Sequence, residues 1–449
     1  KSRALQFRRK NNEVIAKAKA DIPPELLHFE DSIKKSMARF KTEMLSATDS
    51  SGQAATASFF KVRRTLDSLV AYYDEQFPLY HQMKYQNNIT TVADIQQSLD
   101  AQTLMIQYHV GEDKIFALSI TADEVNMNEI DLTDSLKYAV DLCKLQLETV
   151  GAYEVESFAY HANHLYTNLI QPIVEKYNDE EIAYLVVLPD DILWNVNFEL
   201  LHTQPFTGTT EIPYLLKDYA VRYVYSQSAM ENSKVQKRQP AKNLLAFSYG
   251  EVDAAQDGNQ LALSALRSSN EELPGSRMEI RSIAQLVDGD YYYGAFASEE
   301  QFKAIAEDYK VLHLAVHGIT DSKEPDHSKL DFFQKGDSNE DGQLHAFELY
   351  NMQLNADLAV LSACQTGSGN IVSGEGVMSL GRAFSYAGVN SLILTRWDVS
   401  DAFTPQIMEL FYRGLDAGKT KSEALRDAKL AFLASSDNLT SNPFYWGSF

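Results

Sequence analysis

Two short runs of branched aliphatic residues constrain this chain more than any other feature. Val311-Leu-His-Leu-Ala-Val316 and Asp357-Leu-Ala-Val-Leu-Ser-Ala363 have the length and composition of strands buried on both faces, and each is broken at its carboxyl end by Gly or small polar residues. Similar runs recur with helical patterns between them. Asn243-Leu-Leu-Ala-Phe-Ser248 reads as a first strand. A helix from Arg277 to Val287 follows, with Ile280, Ile283 and Leu286 on one face, then a strand at Asp290-Tyr-Tyr-Tyr293 and a helix from Glu299 to Tyr309. The amphipathic segment Gly376 to Ala387 reads as a crossover helix into Ser391-Leu-Ile-Leu-Thr395, and helices from Ala402 to Leu415 and Lys421 to Leu433 complete the layer. Strands that alternate with helices require a parallel sheet, so the fold class is α/β. Reactive groups gather at the carboxyl edge of such sheets.

At that edge the first run ends in His317-Gly318 and the second opens into Cys364-Gln-Thr-Gly367, and His317 precedes Cys364 by 47 residues. A thiol attacks as thiolate, and a free Cys has a pKa of about 8.5. A neighbouring imidazole raises the reactive fraction near neutral pH, so the pair would supply nucleophile and base. An isolated Cys at a strand end more often packs than reacts. It is His317 on the companion strand that favours chemistry here. His313 lies deeper on the same strand face and reads as a satisfied core residue. Cys143 falls in the helical pattern Tyr138 to Leu147 and reads as core. A metal site from His313, His317 and Cys364 is disfavoured, because two of the three come from one strand and no fourth ligand is apparent.

A His followed about 50 residues later by an Ala-Cys-Gln elbow is the order used by caspase-type proteases. Together His317-Gly318, Leu361-Ser-Ala-Cys-Gln-Thr-Gly367, Gly374-Glu-Gly376, Arg382-Ala-Phe-Ser-Tyr-Ala-Gly388 and Pro443-Phe-Tyr-Trp446 resemble the CHAT family, caspase-like domains of clan CD often found behind tetratricopeptide (TPR) repeats. The resemblance runs from about residue 100 to the end. It implies a cysteine endopeptidase with a Cys364–His317 dyad and no third member. Cys364 sulfur would attack the scissile carbonyl while His317 protonates the leaving amine. Backbone N–H groups of Gly318 and Cys364 are the candidates for the oxyanion hole, Gly permitting close approach. Arg396-Trp-Asp-Val-Ser-Asp401 is similar to the separase segment whose Asp pairs with a P1 Arg, which makes Asp398 the S1 candidate for Arg or Lys. Asp401 reads as the N-cap of the helix beginning at Ala402. Arg396 reads as a partner of Asp398 rather than as a reader of acidic P1 residues.

Three blocks follow from the patterns. Residues 1–100 contain one Gly and long helical patterns, Leu26 to Leu45, Ala54 to Phe77 and Val92 to Leu99, which read as helical hairpins. No 34-residue repeat is legible. The resemblance makes this block the end of a repeat array, and the absence of Met at Lys1 suggests an upstream portion. Residues 101–238 turn α/β. Leu104 to Val110 and Lys114 to Ile120 form a hairpin, helices run to about Tyr177, and the buried strand Ala183 to Leu188 ends in Pro189-Asp-Asp191, with neither His nor Cys. By resemblance this block is a degenerate, pseudo-protease caspase-like domain that braces the active one. The basic, Pro-containing stretch Ser233 to Ala241 marks the boundary, and residues 239–449 form the active CHAT domain.

Composition excludes several classes. The formal charge is −22; residues 1–100 hold 15 Lys/Arg against 12 Asp/Glu (+3), leaving 25 against 50 (−25) beyond. That acidic remainder would repel nucleic acid. Two Cys argue against a disulfide scaffold and fit a reducing, cytoplasmic compartment. No apolar run of 18 residues and no signal peptide is present, so no membrane partner is expected. No cofactor is called for. Asp337-Ser-Asn339-Glu-Asp341-Gly342 through Glu348 fits the EF-hand loop spacing, with oxygen ligands from Asp337, Asn339, Asp341 and Glu348. The segment before it reads as a strand, however, which favours a solvated hairpin over a calcium site. Expected partners are a protein substrate and a regulatory protein or ligand acting on the helical region, and the family resemblance admits a role in bacterial defence or cell death. The alternative is a catalytically silent caspase-like scaffold that only binds other proteins.

Overall fold

The computed structural model describes residues 22–46, 50–77, 91–149, 151–177, 181–208, 212–224, 240–249, 274–321, 327–333, 340–349, 352–362, 370–372, 376–378, 380–398, 401–437 and 440–449. Two compact units emerge, Lys1–Ile89 and Thr90–Phe449. In the first, α1 (Pro24–Ser46) packs against α2 (Ser50–Gln76) as a helical hairpin. Its small core comprises Ile22, Ile33, Leu69 and Tyr73, and the Tyr73 hydroxyl donates to the Leu26 carbonyl at 3.1 Å. Burying each such side chain contributes about 1.5–3 kcal/mol.

The second unit opens with α3 (Val92–Ser98), fixed by a capping box between Thr91 and Asp94. A five-stranded mixed sheet follows in the order β3-β2-β1-β4-β5, formed by β1 (Thr103–Val110), β2 (Lys114–Ile120), β3 (Val125–Asp131), β4 (Tyr184–Leu188) and β5 (Ala220–Tyr223). β1 and β2 pair antiparallel as expected, and β1, β4 and β5 run parallel. Helices α4 (Asp134–Glu148) and α5 (Val155–Leu169) connect β3 to β4. β3 was not expected: its residues are mostly exposed and polar, and it is held at the sheet edge by backbone pairing with β2.

A second five-stranded sheet, wholly parallel, has the order β15-β12-β8-β6-β7. Its strands are β6 (Lys242–Ser248), β7 (Gly289–Tyr293), β8 (Tyr309–Ala315), β12 (Leu358–Leu361) and β15 (Ser391–Leu394), with α6 (Pro274–Ala284) and α7 (Glu299–Ile305) in the crossovers. The chain passes from β6 outward to β7 and then returns to the other side of β6 as β8, so the topological switch lies between β6 and β8. Between β8 and β12 the chain builds a small antiparallel sheet from β9 (His317–Ile319), β10 (Lys329–Asp331) and β11 (Gln343–His345). Segment 376–387 is not one helix. Gly376–Met378 forms β14, paired with β13 (Asn370–Val372), and only Leu380–Ala387 is helical, as α8. A three-residue β pairing overrides a helical apolar spacing there.

α9 (Thr404–Asp416) and α10 (Lys421–Ser435) finish the layer, with α9 against α6 and α10 reaching β5 of the first sheet. One continuous apolar core runs from Leu104 and Leu185 through Leu244 and Val360 to Trp446 and Phe449. Buried Lys429 of α10 donates to Glu199 and to the Phe449 carbonyl. Both polar partners of this ammonium are thereby satisfied inside the protein, which is the condition for burying a charge. No described helix is long and apolar enough to cross a membrane.

Candidate active site

His317 stands where the apolar run Val311–Val316 leaves the parallel sheet and begins β9. Its ring is half-buried and meets Tyr249, which follows β6, edge to face at 4.7 Å between centroids. The imidazole is therefore at the switch point, the edge where this class of sheet collects its ligands. Burial pushes the His317 pKa below its ordinary value, and the charge of Asp331 partly opposes this. Asp331 is directly opposite His317 in the β9–β10 pairing, so the two side chains share a face. His317 Nε2 is buried without a hydrogen-bond partner among the described residues. A neutral imidazole with a free ring nitrogen is the form able to take a proton from a thiol. Gly318 is half-buried and pairs across from Leu330.

Cys364 lies outside the described residues, as do Asp337 and Asn339 of the acidic turn. What is described of its strand is β12 and Ser362. β12 runs beside β8 with Val360 next to His313 and Leu361 next to Leu314.

Beneath this edge is a buried polar network. His313 is fully buried; its Nε2 lies 2.8 Å from Glu279 Oε1 and its Nδ1 3.0 Å from the Tyr412 hydroxyl. Ser362 donates to Glu279 Oε2 at 3.0 Å. His313 is thus a satisfied core residue, as its depth in the strand suggested. Asp401 does not cap its own helix: α9 has Phe403 at the N-cap and no side-chain cap. Asp401 Oδ2 instead accepts the Gly275 N–H of α6 at 2.7 Å. A Cβ on Gly275 would stand 1.8 Å from the Asp401 carbonyl oxygen, so only Gly allows this approach. Burial raises the Asp401 carboxyl from 3.8 to about 6.

Asp398 is exposed just beyond β15, next to β12 in the sheet. Its neighbour Arg396 reaches the first sheet, donating to the carbonyls of Val196 at 2.9 Å and Trp194 at 2.5 Å. The intervening Trp397 is buried, its indole N–H bonded to the Phe444 carbonyl and its backbone clasped by Ser448. The segment bearing Asp398 is therefore anchored on both sides.

The acidic turn carries its own cation. The Lys303 ammonium lies 2.6, 2.8 and 2.7 Å from Glu299, Glu340 and Glu348, the three carboxylates that otherwise have metal-ligand spacing. Burial works against the Lys303 charge, yet these partners hold its pKa above the ordinary value. Glu348 also accepts the His345 N–H, and Asp341 that of Gln343. The other thiol, Cys143, is buried in α4 and pushed up to about 12, which leaves it inert at neutral pH.

Glu279, Asp331 and Ser362 were not singled out from the sequence. The signals were present: Glu279 interrupts the apolar stripe of α6 one turn before Ile283, and Ser362 is a polar residue at the end of an apolar run, two before Cys364 in sequence.

Comparison with known proteins gives a match to the CHAT domain family over residues 160–449. Tetratricopeptide repeat protein 28 from Homo sapiens is 25% identical over 301 residues, which cover 59% of this chain and 12% of that protein. Its Mus musculus counterpart is 30% identical over 106 residues, 24% of this chain and 4% of that protein. The chain thus spans a small part of the length of these relatives.

Proposed function

Because the chain belongs to the CHAT domain family, we propose that it is a cysteine endopeptidase in which Cys364 and His317 act as nucleophile and proton carrier. The observation that carries this reading is strand register. β12 runs beside β8 at an offset of 47 residues, Val360 beside His313 and Leu361 beside Leu314. Cys364 follows His317 by the same 47. This shared separation in sequence is what supports reading the two residues as a dyad.

In this reading Cys364 sulfur adds to the scissile carbonyl as His317 takes the thiol proton. The same proton passes to the leaving amine as the carbon–nitrogen bond breaks, and water then hydrolyses the acyl-enzyme. The lowered pKa of His317 keeps its ring neutral and ready to accept. Asp331 on the facing strand favours the imidazolium that forms. N–H groups of Gly318 and Cys364 serve the developing oxyanion. Asp398, exposed at the end of β15, would select Arg or Lys at P1, with Arg396 and Trp397 holding its segment in place. The half over residues 101–238 acts as the pseudo-protease brace, and the helical region as the input for a regulatory partner. The test is cleavage of a fluorogenic peptide library by the full chain. Activity that disappears in Cys364→Ala and in His317→Ala supports the reading, and activity that survives either substitution refutes it. A folded chain with no activity and no reactive thiol would be the silent scaffold.

A further inference from the structure

We propose that Glu279 and Ser362 are positioning residues that set the spacing between the strand end bearing His317 and the strand end leading to Cys364. This rests on the peptidase reading above. Glu279 projects from α6 and is 2% exposed; its carboxylate is shared between two neighbouring strands of the parallel sheet. One oxygen faces His313 Nε2 at 2.8 Å, four residues before His317. The other accepts the Ser362 hydroxyl at 3.0 Å, two residues before Cys364.

Donor accounting fixes the arrangement. A carboxylate only accepts, so His313 carries its proton on Nε2 and Ser362 donates its own. The Tyr412 hydroxyl, also buried, completes His313 at Nδ1 at 3.0 Å. Burial and the nearby Glu279 charge hold the Tyr412 pKa well above its ordinary value, so it stays a neutral hydroxyl. A buried carboxylate with two matched donors is directional where apolar packing is not. Apolar residues of similar volume would serve stability as well or better, so stability alone does not account for this network. Its geometry accounts for a role: two donors on adjacent strands can meet one carboxylate only at one mutual register, and the ladder between β8 and β12 ends at Leu314 and Leu361, just where the network takes over.

The network also touches the segment beyond Asp398. Asp401 accepts the Gly275 N–H at the start of α6, four residues before Glu279, so the substrate wall and the dyad strands are braced by one helix.

The test uses the full chain and two readouts: hydrolysis of the best peptide found in a fluorogenic library, and the pH dependence of Cys364 alkylation by iodoacetamide. Ser362→Ala removes one donor without enlarging the core. It is expected to lower kcat per folded molecule about tenfold to a hundredfold at unchanged KM, in line with the cost of displacing a reacting group by about 1 Å, and to lower Tm somewhat because one buried carboxylate oxygen loses its donor. Its alkylation midpoint should move toward the ordinary thiol value near about 8.5. Glu279→Leu should lower kcat similarly, and Glu279→Gln, which retains an acceptor and a partner for both groups, should recover most of the loss. The proposal is overturned if Ser362→Ala keeps wild-type kcat and alkylation profile, or if lost activity only tracks lost folded protein. In the first case, complete loss in Cys364→Ala leaves the peptidase reading standing. Cleavage that persists in Cys364→Ala overturns both.

Discussion

The two sheets end their central strands differently, and the contrast lies in what the polar groups at each end hold. β4 ends in Pro189-Asp-Asp191. There buried Asp190 accepts the Val110 N–H at 2.9 Å and the turn it begins offers the Trp194 and Val196 carbonyls to Arg396. Asp190 and these two carbonyls are thus committed to holding backbone and Arg396 in place. β8 is followed by His317, whose Nε2 has no partner among the described residues, over a network that reaches the end of β12 through Glu279 and Ser362. A strand edge whose polar atoms are satisfied is structural. One that leaves a titratable nitrogen uncommitted at a topological switch is where a reaction is to be sought.

The contrast breaks most visibly at the proposed dyad. Cys364→Ala or His317→Ala should cost about 10³-fold or more in kcat/KM, as nucleophile–base units do elsewhere. Asp190→Ala should lower Tm without reducing turnover per folded molecule, and equal turnover losses at both edges would erase the distinction. The largest stability effect should come from the bridge between the halves. Lys429→Ala leaves Glu199 buried and unpaired and should cost about 3–5 kcal/mol in urea unfolding, whereas a loss near zero would mean the ammonium is dispensable.

Specificity sharpens the comparison next. Asp398→Ala should reduce kcat/KM about ten- to a hundredfold for peptides with Arg or Lys at P1 while leaving apolar P1 peptides unaffected, the scale of one charge-assisted contact. A uniform change across P1 residues would remove Asp398 from the S1 wall. The smallest effect is a pH dependence. Asp401 is raised in the folded state to about 6 from 3.8, so its contribution to stability is fully present below the lower value and is lost as pH rises through the upper one. Stability measured against Asp401→Asn should therefore decline relative to the variant between those values and run parallel outside them. A flat difference across the window would contradict the assigned environment.

Much of this was legible because burial on both faces writes itself as unbroken apolar runs. Leu244 to Phe247 and Leu358 to Leu361 are such runs, Leu312 to Leu314 is one apart from His313, and all three lie in central strands. β3 escaped because an edge strand with exposed Glu and Asp has no such run, and β14 because Val377 and Met378 also suit the helix that follows. His317 was legible as a strand-end His before a glycine, whereas Glu279 was hidden by distance. A carboxylate 34 residues before its His partner and 83 before its Ser partner meets them only after the sheet has formed. Asp401 was assigned to the wrong helix for the same reason, since its partner Gly275 lies 126 residues away.

Intact-mass and peptide-mapping analysis of the chain treated with a thiol-reactive peptidyl ketone bearing Arg at P1 tests the central claim most directly. One adduct on Cys364, absent in His317→Ala and with Cys143 unmodified, is the result expected of a thiol served by that imidazole. No adduct, or an adduct rate indifferent to His317, would contradict it.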